Sequence, residues 1–354
     1  MLEMPLAVGV PFKELMGGKA THCRGTLSNV EDSYSTIRVK SKAHYYAEDY
    51  NFEGVTTDKL MPTIRAALDF KAVFAFNDRQ VRERVHRAAA VYLYDGTEVT
   101  EAEFPKADWG ELRVQEGCYI GQIEHGKRHG LGTHTWSNGK VYQGTWLDDS
   151  MAGVGRLISP TGECYEGHWE NSQACGHGVY TQADGLVYVG GWEGNLQQGE
   201  GEQITPEGHA YKGKFRRGKK HGVGELRLKV GSAWDVYKGE FAENLYDGQG
   251  EYTWSDGRFF TGSWKAGQMS GSGDYSWPKT LGRECYSGKY EAGLKQGNGT
   301  YTWSDGSQYR GEWSRGMRHG TGLFQTAVGS CCLQIWEQDV LMSSTQLTSE
   351  CNDG

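Results

Sequence analysis

Proline is scarce in this chain, with seven residues in 354. No stretch approaches the run of about eighteen apolar residues that a membrane-spanning helix needs. The start, Met1-Leu-Glu-Met-Pro-Leu-Ala-Val-Gly-Val-Pro-Phe12, has an acidic residue and too short an apolar run for a signal peptide. A basic excess is also missing. The formal net charge is -8, which argues against a nucleic-acid-binding surface. Eight cysteines, at 23, 118, 164, 175, 285, 331, 332 and 351, show no Cys-x-x-Cys pair. They read as reduced thiols of a cytosolic protein rather than a disulfide framework or zinc site. The eleven histidines do not cluster with cysteine or carboxylate at metal spacing, and no serine or cysteine sits in a nucleophile motif. Neither a catalytic residue, a metal nor a cofactor is predicted.

What the chain has in excess is glycine, 52 residues, only six of them before residue 109. All twelve tryptophans lie between Trp109 and Trp336. There is no Gly-X-Y period, so collagen is excluded, and the tryptophans exclude a disordered glycine-rich linker.

The glycines and aromatics recur in a frame. Tyr142/Gly144/Trp146 is followed by Gly153/Gly155; Tyr165/Gly167/Trp169 by Gly176/Gly178; Tyr188/Gly190/Trp192 by Gly199/Gly201. The same order returns from Tyr211, Tyr237, Phe260, Tyr286 and Tyr309, and Tyr119/Gly121/Ile123 with Gly130/Gly132 is a first copy, making nine. The step is 23 residues except from Tyr211 to Tyr237 and from Phe260 to Tyr286, where it is 26. A fixed period of this length marks a repeat architecture.

Period-two alternation makes each copy a β-hairpin with one glycine-and-aromatic face and one mostly polar face, the latter carrying Gln143/Thr145, Glu166/His168, Lys212/Lys214, Lys238/Glu240 and Arg310/Glu312. A strand glycine costs ~0.5–1 kcal/mol. Rings from neighbouring strands laid over the bare backbone offset that cost. Seven residues after the opening aromatic stands Gly126, Asp149, Ser172, Asn195, Gly218, Asn244, Gly267, Gly293 or Gly316. Glycine, asparagine and aspartate tolerate left-handed backbone, so this slot predicts φ > 0. Asn138-Gly139, Asp184-Gly185, Asp256-Gly257 and Asp305-Gly306 mark a second turn. Gly110–Val114 reads as a leading half-unit and Cys332–Trp336 as a degenerate closing strand, the caps a stacked array requires.

Tyr-x-Gly-x-Trp followed by His-Gly-x-Gly, as in His129-Gly130-Leu-Gly132, His221-Gly222-Val-Gly224 and His319-Gly320-Thr-Gly322, resembles the MORN (membrane occupation and recognition nexus) repeat. His177-Gly178 carries the histidine one residue late, and Ala152, Gln198, Asp247, Ser270 and Gln296 replace it elsewhere, so the histidine reads as structural or optional, not as a shared chemical group. The resemblance implies a mainly β fold, an elongated twisted antiparallel sheet of nine stacked hairpins. It also implies a scaffold of the kind found in radial spokes, other ciliary or flagellar assemblies, cytoskeletal collars and membrane junctions.

The predicted domains are a poorly defined segment over 1–55, a small α+β unit over 56–108, the array with its caps over 109–336, and a mobile tail over 337–354. Within the α+β unit, helices are predicted near Leu60–Leu68 and Arg79–Ala90, and a hairpin around Asp95-Gly96. The second helix carries Arg79, Arg82, Arg84, His86 and Arg87, either an anionic-surface contact or a solvated face.

Two candidate sites emerge. Aromatics beyond what one sheet layer covers point to a groove for a partner's helix or extended peptide, lined by Trp136, Tyr180, Tyr252, Trp254, Tyr275, Trp277, Tyr301 and Trp303. Packing of those rings on one another is the competing reading. Basic turns with Lys127, Arg128, Arg216, Arg217, Lys219, Lys220, Arg315 and Arg318 point to acidic phospholipid or an acidic protein, with a solvated loop as the alternative. The expected function is therefore a non-enzymatic, cytoplasmic scaffold with cytoskeletal or axonemal protein partners, and a peripheral membrane tether is the alternative. Neither nucleic acid nor a cofactor is expected, and a homo-oligomer is left open.

Overall fold

The computed structural model describes residues 91–92, 98–99, 108–278 and 284–347. The predicted helices of the N-terminal zone lie outside these. Strands β1 (Val91–Tyr92) and β2 (Glu98–Val99) pair antiparallel, Val91 opposite Val99, across the Asp95-Gly96 position.

The chain forms two compact units, Met1–Pro206 and Glu207–Gly354. In the first, nine array strands pair antiparallel in sequence order: β3 (Asp108–Val114), β4 (Gly117–Glu124), β5 (Lys127–Trp136), β6 (Val141–Leu147), β7 (Ser150–Ile158), β8 (Cys164–Glu170), β9 (Gln173–Thr181), β10 (Val187–Glu193) and β11 (Leu196–Ile204). In the second, twelve do so. These are β12 (Ala210–Arg216), β13 (Lys219–Val230), β14 (Ala233–Ala242), β15 (Leu245–Thr253), β16 (Phe259–Lys265), β17 (Gln268–Ser276), β18 (Cys285–Glu291), β19 (Leu294–Thr302), β20 (Gln308–Ser314), β21 (Met317–Gln325), β22 (Cys331–Glu337) and β23 (Val340–Gln346). The predicted caps are β3 and β22. Beyond them, where the Ser/Thr-rich composition predicts a mobile tail, β23 pairs with β22.

The left-handed slot is real in every copy. Asp149, Ser172, Asn195 and Asn244 hold φ of 69°, 61°, 67° and 72°, and the other five slots are glycines at positive φ. The residue before the slot is also left-handed, as at His125, Asp148 and Arg217, so each hairpin closes through a two-residue type I′ turn.

A β-bulge follows in each hairpin, between the first glycine and the second aromatic. The bulge takes one residue out of the ladder and would strand its carbonyl. The opening tyrosine supplies the donor: Tyr119 Oη donates to Gln122 O at 2.7 Å, Tyr142 to Thr145 O at 3.0 Å and Tyr237 to Glu240 O at 2.9 Å. Tyr165, Tyr188, Tyr211, Tyr286 and Tyr309 do the same. To reach the bulge the ring must lie flat across both glycines of its hairpin. A Cβ at Gly178 would stand 2.5 Å from Tyr165 Oη, and at Gly155 it would enter the Tyr142 ring. For the first glycine of each pair the roof therefore comes from its own strand, not a neighbouring one as expected; only the second glycine is roofed from across the ladder.

The second aromatic links one repeat to the one before. Trp146 Nε1 donates to Gly132 O at 3.2 Å, Trp169 to Gly155 O at 2.9 Å and Trp192 to Gly178 O at 3.1 Å. Each tryptophan also stands edge-on to two tyrosines, as Trp169 does to Tyr165 (5.0 Å) and Tyr142 (5.3 Å). Such pairs add roughly 0.5–1.5 kcal/mol beyond burial. The result within each unit is a zipper of edge-on aromatic rings, nearly all of it buried.

The opposite face is less uniform than its alternation predicts. In the second unit Lys212, Lys214, Lys238, Glu240, Arg310 and Glu312 are exposed. In the first, Thr133, Gln143, Thr145 and Glu166 are buried, and Arg156 Nε meets Glu166 Oε1 at 3.2 Å. Here β1 lies beside β7. Cys331 also departs from expectation: it is disulfide-bonded, whereas Cys118, Cys164, Cys175, Cys285 and Cys332 are free.

Candidate partner-binding surface

The eight predicted aromatics divide. Trp136 and Tyr180 lie in the first unit as separate features. Trp136 is half-buried against His134 (4.4 Å) with Lys140 Nζ over its ring at 5.4 Å; Tyr180 is buried against Trp192. The other six join into one rail in the second unit. Tyr252 meets Trp254 at 4.4 Å, Trp254 meets Tyr275 at 5.4 Å, Tyr275 meets Trp277 at 4.5 Å, Trp277 meets Tyr301 at 5.6 Å and Tyr301 meets Trp303 at 4.9 Å. Phe324 extends it, 5.7 Å from Trp303. Its register was visible in the sequence, because Phe324 follows Tyr309 by the same interval as Tyr301 follows Tyr286.

The rail exists because alternate strands β15, β17, β19 and β21 each bring one or two rings to the same face, one repeat apart. Tyr252 is buried at its root; Trp254, Tyr275, Trp277, Tyr301, Trp303 and Phe324 are half-buried. Their polar tips are oriented by neighbours. Tyr252 Oη donates to Asp235 Oδ2 at 3.2 Å, Tyr301 Oη to Glu284 Oε2 at 2.5 Å, and Arg258 Nη1 to Tyr275 Oη at 3.4 Å.

Two cations that sequence reasoning missed are built into the rail. The Arg258 guanidinium lies 5.1 Å over Trp254. Lys295 Nζ sits among four rings, Tyr301 at 4.3 Å, Trp313 at 4.6 Å, Tyr286 at 4.9 Å and Trp277 at 5.4 Å. Burial brings its pKa down to about 8, against the opposing pull of Asp339 and Glu284. The surface is thus apolar and aromatic with fixed positive points, suited to an apolar segment bearing carboxylates or carbonyls.

The basic turns fare differently, because most meet an acid on the following turn. Lys127 Nζ stands 3.8 Å from Asp148, Arg128 Nε 3.0 Å from Asp149, Lys219 Nζ 2.6 Å and Arg216 Nη2 3.7 Å from Glu243, and Arg318 Nε 2.8 Å from Asp339. Lys220 is drawn over the Tyr211 ring, and burial lowers its pKa to about 8. Arg217 and Arg315 hold the first central position of their turns, both at φ 51°, and are exposed.

The histidine slot lies against the next turn. His129 Nδ1 lies 4.0 Å from Asp148 on the next turn. In two copies lacking the histidine, Asp247 accepts from Ala266 N and Gln296 from Arg315 N, both at 3.0 Å.

The MORN repeat family model matches residues 119–141, 142–164, 165–187, 188–210, 211–233, 237–257, 260–280, 286–308 and 309–331. The chain belongs to the MORN repeat family, a scaffold type of repeat associated with protein interaction and with membranes. No curated protein matches it. Among solved structures, the TCP10 domain of Danio rerio CPAP (E1021V mutant) is 13% identical, with a TM-score of 0.32 over 61% of this chain and 99% of that one. A streptogramin B lyase is 9% identical, with a TM-score of 0.15 over 69% of this chain and 88% of that one. No helix among the described residues is long and apolar enough to cross a membrane.

Proposed function

We propose that this protein is a non-enzymatic scaffold of a cytoskeletal or ciliary assembly that docks a partner segment on the aromatic rail from Tyr252 to Phe324. The observation that supports it is the unbroken run of rings across four successive hairpins, half-buried from Trp254 onward, carrying Arg258 and Lys295 as fixed cations. Truncating Trp254, Trp277 and Trp303 together to alanine removes the outer rings and leaves the buried zipper. The test follows the native protein and this variant into the detergent-insoluble cytoskeletal fraction of cells that express it. Retention of the native chain and release of the variant is expected; a native chain wholly in the detergent-soluble fraction overturns the reading.

A peripheral membrane tether using the basic turns is the second reading, and their pairing with acids weighs against it, since a cation already matched gains little from a lipid headgroup. Flotation with vesicles rich in acidic phospholipid at low salt would restore it.

A further inference from the structure

The outer strand of the second unit is unlike the outer strand of the first. In seven residues β3 carries Asp108, Glu111 and Arg113, the charges with which native sheets blunt an open edge. β23, Val340-Leu-Met-Ser-Ser-Thr-Gln346, carries no charge and no proline. All its residues are exposed, and among the described residues it pairs on one side only, with β22. Leu347 N donates to Cys331 O at 2.9 Å, so by antiparallel alternation Ser344 and Gln346 turn their N–H and C=O groups outward. Val340 is 61% exposed, Leu341 45% and Met342 59%, and on β22 beside them Leu333 and Ile335 are 42% and 46% exposed.

We propose that β23 is a self-association edge: two copies of this chain pair their β23 strands antiparallel about a two-fold axis, covering Val340, Leu341 and Met342 and continuing the sheet from one molecule into the next. The second copy is the occupant because the strand is self-complementary. Pairing centred on Ser343 sets serine against serine and opposes no charges, and side-by-side hydroxyls are a favourable cross-strand pair. The same operation on β3 would centre on Glu111 and set two carboxylates against each other. A two-fold contact also closes at two copies, so a long apolar edge does not run on into fibres. Seven residues span about 23 Å. That contact is at the small end of specific interfaces, which bury around 800 Å² per partner, so the test spans micromolar concentrations.

Sedimentation velocity of the full chain across roughly 1–200 µM, the range that brackets a micromolar dissociation constant, tests this. A monomer–dimer equilibrium is expected. Ser344→Pro removes an outward N–H without breaking a bond to β22, and Met342→Lys brings two ammonium groups together across the axis. Each raises the dissociation constant at least tenfold, with melting of the dilute monomer unchanged. Should Ser344→Pro lower the melting temperature, Met342→Lys alone decides. A chain that stays monomeric throughout, or a well-folded Met342→Lys variant that dimerises like the native chain, overturns the proposal.

Discussion

Arg128 and Asp149, one turn apart in the array, are joined by four hydrogen bonds, one of them from Asp149 N to Arg128 O at 3.0 Å. Asp149 Oδ1 accepts from Arg128 N and from Nε, both at 3.0 Å, and Arg128 Nη2 donates to Asp149 O at 3.0 Å. The pattern repeats at the far end, where Asp339 Oδ1 accepts from Arg318 N at 3.0 Å and Nε at 2.8 Å. Where the slot lacks a carboxylate, Ser172, Asn195 and Asn244 accept from the backbone of Met151, Ala174 and Lys220. One residue therefore does two things: it adopts the left-handed turn and fastens that turn to the previous repeat. Asp149→Gly keeps the first role and loses the second, and a loss of about 1 kcal/mol is expected. Asp149→Ala loses both and should cost about 1–2 kcal/mol more. Urea denaturation of the three proteins gives the order; equal losses for glycine and alanine would show that the slot's backbone geometry is unimportant.

That slot was legible in the sequence because left-handed backbone is a local matter of residue chemistry, and all nine predicted positions adopt it. The fastening was not, since it joins residues 21 apart. Only the recurrence of arginine after the turn at Arg128 and Arg318 hinted at it. The buried polar face around Arg156 and Glu166 was less readable still, because alternation reports which residues share a face and not what covers it. The rail was half legible: the spacing named six of its rings, but their junction into one run and the capture of Lys295 depend on rotamers and packing.

The roofing of the glycine pairs predicts a sharp asymmetry between two small changes. Gly155→Ala drives a methyl group into the Tyr142 ring. The ring is fully buried and cannot retreat, so a loss of about 3 kcal/mol or more is expected, at the upper end for overpacking. Tyr142→Phe leaves the packing and removes only the hydroxyl that serves the bulge carbonyl of Thr145, costing about 1 kcal/mol. Thermal melts of the two variants should separate clearly. If they fall together, the ring's position is set by its hydroxyl and not by the bare backbone beneath it.

Phe260 and Tyr290, edge-on at 5.3 Å, carry their hydroxyl on the wrong partner. Phe260 is the one opening aromatic without the oxygen that the other eight donate to the bulge. Tyr290 has a buried hydroxyl with no hydrogen-bond partner. Phe260→Tyr should gain about 0.5–1.5 kcal/mol, and Tyr290→Phe about 1 kcal/mol by removing a buried unsatisfied group. Differential scanning calorimetry of each single variant and of the pair tests both gains. A destabilised Phe260→Tyr would mean the seventh bulge does not match the others.

His134 is the residue through which acid should act on the array. It is fully buried between Trp136 and Trp146, and neither ring nitrogen has a hydrogen-bond partner. Burial, reinforced by Arg128, lowers its pKa from 6.5 to about 4. The unfolded chain therefore binds a proton between those values that the folded chain refuses, and linkage makes stability fall as pH drops from about 6.5 toward 4. Tyrosine fills the equivalent position at Tyr180, Tyr252, Tyr275 and Tyr301, so His134→Tyr preserves the face and removes the titrating group. Melting temperatures measured from about pH 7.5 to about 4.5, a range that brackets this window, should show the variant gaining on the native protein step by step as the solution is acidified. A constant difference across that range would place the acid-sensitive group elsewhere.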